Sequence, residues 1–347
     1  AVHGGGFYHP VKFNVSPPKL PSHLHWFYWE SYSTWLSGFA LFTVLYLWNA
    51  GTFLIDQSLF AWSPVAAGAT AVGLLVAFWF VYDAISRIFG FRENGEAWVG
   101  GLMFLVIAFS CWLTCQLFAG RAAFLIVGAM IATAMSANVF FWIIPGQRKV
   151  VAAMTSGKTY DPMEMAIHGK RGKQRSVHNT YFTLPVLFAM LSNHYSFLYT
   201  HEMHWLILLL MMLAGALIRQ FFVQRHAWHH QRAANPWPFA AVGVAIIIGV
   251  VVWLRPAPAP APSAAPALAT LASVQTIVAQ HCVSCHGEQV QMKNVRFDTP
   301  EGTKQHALGI YQQAVVTKQM PMGNATGLTE EDRALVGRWF VAGAKLD

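Results

Sequence analysis

The chain has 347 residues, 55% of them hydrophobic and only 11% charged, with a formal net charge of +8 and a mean hydropathy of +0.40. A soluble protein carries roughly 25% charged residues, so this composition excludes an ordinary cytosolic enzyme and points to a membrane protein. The positive charge needs no nucleic acid as partner, because membrane topology accounts for where it falls.

The chain opens AVHGGGFYHP, with no Met and no signal-peptide pattern, so an upstream segment that is missing or was processed away is expected, with a missing helix favoured. HGGG occurs in the oxyanion loops of esterases, but these also need G-x-S-x-G, which is absent here. The glycines instead permit close backbone approach, and His3 and His9 are candidate substrate or metal ligands. His23 and His25 crowd the same segment.

Seven apolar spans follow, at about 33–55, 64–83, 97–118, 122–145, 180–198, 203–223 and 237–254, each near the ~20 residues that cross a bilayer core. Glu30 precedes the first, as a helix N-terminal acid or as a group that orients a His or accepts a proton. Cys111 and Cys115, at i and i+4 within the third, read as small packing residues. Residues 146–179 are expected as a long basic loop that sets topology and touches anionic lipid, or else attracts an anionic substrate or anchors a cytoplasmic partner. His178 and His194 are placed on one helix, about 24 Å apart at 1.5 Å per residue. Ionisable groups inside a membrane are functional candidates by default. An electron cannot cross the ~30 Å core in one useful step. A bis-histidine haem b is therefore one candidate relay, with His194 and His204 as its ligands; entry of substrate deep into the domain is the alternative.

After Arg255 the composition changes to a Pro/Ala run, a semi-rigid spacer. Cys282-Val-Ser-Cys285-His286 then fits the C-x-x-C-H pattern of covalent haem c attachment. Two thiols add to the haem vinyl groups and His286 meets the iron, with Met320 of KQMPMGN favoured over Met322 as the second axial ligand. Leu271–His281 is expected as the leading helix, and Thr329 to Asp332 as the capping box of a last one. The expected fold is all-α: a polytopic membrane domain over 1–255, a linker over 256–267 and a class I-type cytochrome c domain over 268–347.

Haem c is attached outside the bacterial inner membrane, so the C-terminal domain is expected in the periplasm. Counting back places 1–32, 84–96, 146–179 and 224–236 in the cytoplasm. Of the sixteen Lys and Arg up to Ala267, only Arg121 and Arg255 then fall outside, as the positive-inside rule requires.

The stretches AVHGGGFYH, WFYWESYSTWLSGFALF, WIIPGQ and HNTYFTLPVLFAMLSNHYSF, followed by CVSCH, resemble the bacterial membrane-bound urate hydroxylases, in which a urate-oxidase membrane domain is fused to cytochrome c. The resemblance covers essentially the whole chain. It implies oxidation and hydration of urate to 5-hydroxyisourate, with electrons passing to haem c and on to a cytochrome or terminal oxidase. It also implies another helix upstream. On this reading His3, His9, Glu30, His178 and Asn179 are the candidate catalytic residues, and the basic loops suit an anionic substrate. A quinol or alcohol dehydrogenase and a non-catalytic electron-transfer subunit are the alternatives.

Overall fold

A computed structural model describes residues 2–3, 6–7, 28–156, 161–255, 269–324 and 326–345. Apart from a two-residue hairpin, Val2–His3 against Gly6–Phe7, the described residues form helices and connecting turns. The first is α1 (Trp29–Phe42), prolonged by a π turn to Leu47, then a short α2 (Ala50–Phe53). Next come α3 (Pro64–Phe89), α4 (Gly95–Leu117) and α5 (Gly120–Asn138), which runs through a second π turn into α6 (Ile144–Thr155). The bundle is completed by α7 (Pro162–Leu191), α8 (Ser196–Tyr199), α9 (His204–His229) and α10 (Trp237–Trp253). A second unit holds α11 (Leu271–His281), α12 (Pro300–Gln305), α13 (Ala307–Ile310) and α14 (Glu330–Val341).

Local chemistry sets the helix starts. Ser63 accepts from Ala66 N ahead of Pro64, and Asp161 accepts from Met163 N ahead of Pro162. Each satisfies an orphan first-turn donor, while proline occupies the position where no donor is needed. Small residues set how closely the helices approach. A Cβ at Gly128 of α5 would lie 2.9 Å from Ala189 Cβ of α7. One at Gly215 of α9 would lie 3.2 Å from both Leu184 Cβ and Pro185 N of α7. Close backbone contact of this kind binds helices where lipid removes the hydrophobic drive. α5 is the centre of the bundle, with Ala122, Ala123, Phe124, Ile126 and Ile131 all fully buried. Cys111 and Cys115 are buried on α4, Cys111 beside Met212 Sδ.

Four helices are long and apolar enough to cross a membrane: Pro64–Phe89, Gly95–Leu117, Gly120–Thr155 and His204–His229. They contain four of the seven expected spans. The other three fall on α1 with its π turn, on the second half of α7, and on α10, which has 17 residues. Large apolar side chains such as Val65, Phe104 and Ile248 face outward from the bundle.

Two expectations are corrected. Residues 146–179 are not a loop, because α6 extends to Thr155 and α7 begins at Pro162. The Asp161-Pro162 cap starts that helix well before the apolar run, and its basic first half continues the helix of the span. At the other end α7 stops at Leu191, so His194 is not on the helix of His178 but closes a 3-10 turn, Ser192–His194.

The second unit has its own core of Leu271, Val274, Val278, Leu328, Val336 and Trp339. α11 packs on α14, burying Trp339 between them. The expected capping box is formed: Thr329 Oγ1 accepts from Asp332 N while Asp332 accepts from Thr329 N. α2 lies against the turn Met322–Asn324 of this unit.

Candidate functional site

Polar side chains of four helices converge where α3, α4, α5 and α7 meet. Asp83 of α3 receives Arg175 Nη2 at 2.7 Å, Arg87 Nε at 2.7 Å and Trp142 Nε1 at 2.8 Å. Arg175 and Asp83 keep only 4% and 7% of their side-chain surface. So deep an ion pair needs further hydrogen bonds, and here Arg87 and Trp142 also donate to Asp83 while Arg175 Nη1 donates to Asn138 Oδ1.

From this pair a chain of hydrogen bonds runs with one polarity. Arg175 only donates, so Asn138 turns Oδ1 toward Arg175 Nη1 at 3.3 Å. Its Nδ2 then donates to Tyr82 Oη at 2.9 Å and to Asn179 Oδ1 at 2.8 Å. Asn179 is fixed in turn by donating to the Met135 carbonyl. Because Tyr82 Oη accepts from Asn138, its proton goes to His178 Nδ1, 2.9 Å away. His178 therefore carries its own proton on Nε2 and donates it to Glu96 Oε2 at 3.0 Å. Gln174 Nε2 donates to the other oxygen, Glu96 Oε1, at 2.8 Å. The buried Arg175–Asp83 pair is thus linked by hydrogen bonds to a buried imidazole that ends at an exposed carboxylate.

Two cavities adjoin that carboxylate. A polar vestibule of about 530 Å³ is lined by Arg92, Asn94, Glu96 and Lys170. A slot of about 760 Å³ shares Glu96 and Lys170 with it and runs between α4, α7 and α9. On α7 the slot is lined by Gln174, His178, Tyr181 and Pro185, successive steps along one helical face. Tyr181 Oη donates to Gln220 Oε1 of α9 across it. Its far end is apolar, with Met103, Phe182, Leu209 and Met212.

Of the candidate catalytic residues, His178 and Asn179 lie in the network and His178 lines the slot. Glu30 stands exposed in the first turn of α1 and lines neither cavity. His3 belongs to the short hairpin, and His9 lies outside the described residues. Sequence reasoning missed Tyr82, Asp83, Glu96, Asn138, Gln174 and Arg175. The signal was available for three: Asp83, Glu96 and Asn138 are polar groups in or at the ends of apolar runs.

Both ring nitrogens of His178 are engaged, by Tyr82 and Glu96. His204 Nδ1 donates to the His201 carbonyl at 2.9 Å, leaving a buried Nε2, while His194 is exposed. Among the described residues no ring contact joins His194 to His204.

In the second unit, Cys285 N and His286 N both donate to Cys282 O, at 3.1 and 2.9 Å, winding the motif into one turn. Both thiols are free, and His286 Nδ1 is buried without a partner beside Phe297. Burial pushes the Cys282 thiol up to about 11, with the Cys285 sulfur adding to it. Arg333, 5% exposed, donates to the carbonyls of Ala314 and Met320 and to Asn324 Oδ1. It thereby fixes the loop that carries Met320. Two thiols, an imidazole with a buried nitrogen and an anchored thioether are a donor set that fits a covalent haem.

No curated protein and no solved structure matches the chain. Residues 1–255, the whole helical bundle with its polar network and both cavities, match the urate oxidase N-terminal family. The chain belongs to that family.

Proposed function

We propose that the protein is a membrane-bound urate hydroxylase, converting urate to 5-hydroxyisourate and passing the electrons to a haem c of its own. Residues 1–255 are the urate-oxidising membrane domain, 256–267 the linker and 268–347 the cytochrome c domain. Seven helices span a bacterial inner membrane, with the vestibule at the cytoplasmic face and the cytochrome domain in the periplasm. Family membership supports the substrate, and the observation that carries the site is the Glu96–His178 contact at the junction of a cationic vestibule and the bundle interior.

Urate is an anion at neutral pH, and Lys170 and Arg92 supply the opposite charge at the vestibule. A planar purine needs donors and acceptors in its own plane, and Glu96 and Asn94 of the vestibule offer both. Glu96 Oε2 already accepts the His178 proton, so the pair can take a proton from bound urate. The carboxylate receives it and becomes the neutral acid, while His178, Tyr82 and Gln174 hold that carboxyl in place. Arg175 and Asn138 hold that geometry without touching substrate. Water entering the vestibule supplies the hydroxyl that adds at C5 once the ring has lost two electrons.

Haem c is the one-electron acceptor when bound, held by Cys282, Cys285, His286 and Met320. The contact of α2 with Met322–Asn324, at the end of the bundle opposite Glu96, supports a cytochrome unit on the outer side. A soluble or membrane cytochrome, or a terminal oxidase, then receives the electrons.

The test is anaerobic: oxidised full-length protein in detergent is mixed with urate while the haem c band and urate absorbance are followed. Reduction coupled to urate loss is expected. An intact haem that dithionite reduces and urate does not, with urate unchanged, would overturn the assignment.

A further inference from the structure

The slot does not match urate. At about 760 Å³ it holds several times the volume of one planar bicyclic ring. From Glu96 to Ile107 it follows α4 for about 16 Å at 1.5 Å per residue. Its polar groups are confined to one end, where Glu96, His178, Tyr181 and Gln220 face it. Along α4 it is open sideways. Ala97, Gly100 and Phe104 line it at i, i+3 and i+7 and are all exposed, Phe104 to 41%. In a membrane that side faces lipid. The cavity therefore suits an amphiphile with a flat hydrogen-bonding head and a long apolar tail, arriving from the bilayer.

We propose that the slot binds an isoprenoid quinone, whose ring rests between His178, Tyr181 and Gln220 and whose tail leaves past Phe104. The inference rests on the urate reading and deepens it. Urate, water and quinone give 5-hydroxyisourate and quinol: urate loses two electrons and two protons, the quinone gains both, and the water oxygen forms the new bond at C5. The vestibule and the slot meet at Glu96, so the two substrates sit on either side of one carboxylate that already holds a proton relay. The quinol then carries the electrons toward the outer face, where the Cys282–His286 unit lies. A mobile lipid-soluble carrier supplies the crossing for which a bis-histidine haem was the expected relay. Tyr181 and Gln220 are the discriminating pair, because the Tyr181 hydroxyl is held on Gln220 Oε1 and the Gln220 amide is left as the donor suited to a quinone carbonyl.

The first measurement is of binding. Organic extracts of the purified, haem-loaded full-length protein are analysed by mass spectrometry. Near-stoichiometric quinone is expected, and phospholipid alone would overturn the proposal. The second uses protein stripped of lipid by detergent washing, with a short-chain ubiquinone analogue as probe. Urate is expected to reduce haem c slowly in stripped protein and to recover when the analogue is added. Undiminished haem reduction in stripped protein sinks the quinone site while leaving the urate reading intact. No urate loss with quinone or with ferricyanide sinks the urate reading itself. Gly100 has open space where a Cβ would stand, so Gly100→Leu puts an apolar side chain at the slot with room for its Cβ. It is expected to weaken the analogue by about tenfold, the scale of a blocked apolar pocket. Equal quinone content and affinity in wild type and Gly100→Leu would count against the site, and a thermal melt of each checks that both are folded.

Discussion

Glu96 and His178 stand 82 positions apart in the chain, yet Nε2 of one lies 3.0 Å from Oε2 of the other. Each end is held by a neighbour that leaves little choice of proton position. Gln174 occupies the second carboxylate oxygen, and Tyr82 occupies the second ring nitrogen. If this contact receives the substrate proton, Glu96→Gln removes the acceptor and keeps the shape. It is expected to lower kcat by about a hundredfold or more, the usual share of a positioned base. Stopped-flow reduction by saturating urate reads it, and an unchanged kcat would remove Glu96 from the chemistry.

Tyr82 is a positioning residue, acting through His178. Tyr82→Phe deletes the proton that Nδ1 accepts and frees His178 to take the other tautomer. The expected result is a fall in kcat of about tenfold, smaller than for Glu96, with KM for urate nearly constant. It should also alter the pH profile of kcat, because the imidazole gains the option of protonating at Nδ1. A profile of unchanged shape would mean that Tyr82 only fills space.

Lys170 lines both cavities and Arg92 the vestibule. Their proposed role is attraction of an anion, which is long-ranged and screened by salt. Lys170→Gln with Arg92→Gln is expected to raise KM for urate severalfold and to flatten its rise with ionic strength, leaving kcat close to wild type. Steady-state kinetics at low and high salt decide it. A KM that keeps its salt dependence places the anion elsewhere.

In the haem-free chain the two motif thiols should differ. Cys285 is exposed, whereas burial pushes Cys282 up to about 11. The thiolate is the nucleophile. A raised thiol pKa keeps Cys282 protonated and slow across neutral pH, with alkylation rising until pH nears 11. Peptide mass spectrometry after iodoacetamide treatment is expected to find Cys285 modified first at pH 8. Equal rates would mean that the first turn after α11 is open in solution.

Much of this architecture was legible in the residues. Apolar run length located the four long helices, and Thr329 to Asp332 announced the cap of α14, whereas the starts at Ser63-Pro64 and Asp161-Pro162 emerged only from the structure. His178 was legible because an imidazole at the end of an apolar run is costly without a partner. The partners were not, since a hydrogen bond between residues 82 positions apart leaves no local periodicity. Hydropathy also misjudged α7. Lys170, Arg171, Lys173 and Arg175 read as loop by polarity, but they are good helix formers, and three buried residues of this stretch settle the matter. Gln174 and Arg175 are buried against Glu96 and Asp83, and Gly172 lies buried beside the α5–α6 junction.

Asp83 and Arg175 carry the remaining prediction, which concerns stability. Their 2.7 Å contact lies almost wholly out of solvent, so either charge alone is costly. Asp83→Leu leaves the Arg175 guanidinium without its counter-ion and Trp142 Nε1 without its acceptor. The expected loss is about 3–5 kcal/mol, enough to empty much of the folded population of a marginal protein. Pairing it with Arg175→Met removes both charges and is expected to return a large part of that loss, because the desolvation cost disappears with the attraction. Urate oxidation should not return with it. Asn138 would lose the donor that turns Oδ1 toward Arg175, so its amide would be free to flip and the His178 tautomer would no longer be dictated. Thermal melts in detergent, read beside urate turnover, separate the two effects. A double variant that recovers both would reduce the ion pair to packing, and one that recovers stability alone would make it the element that orients the site.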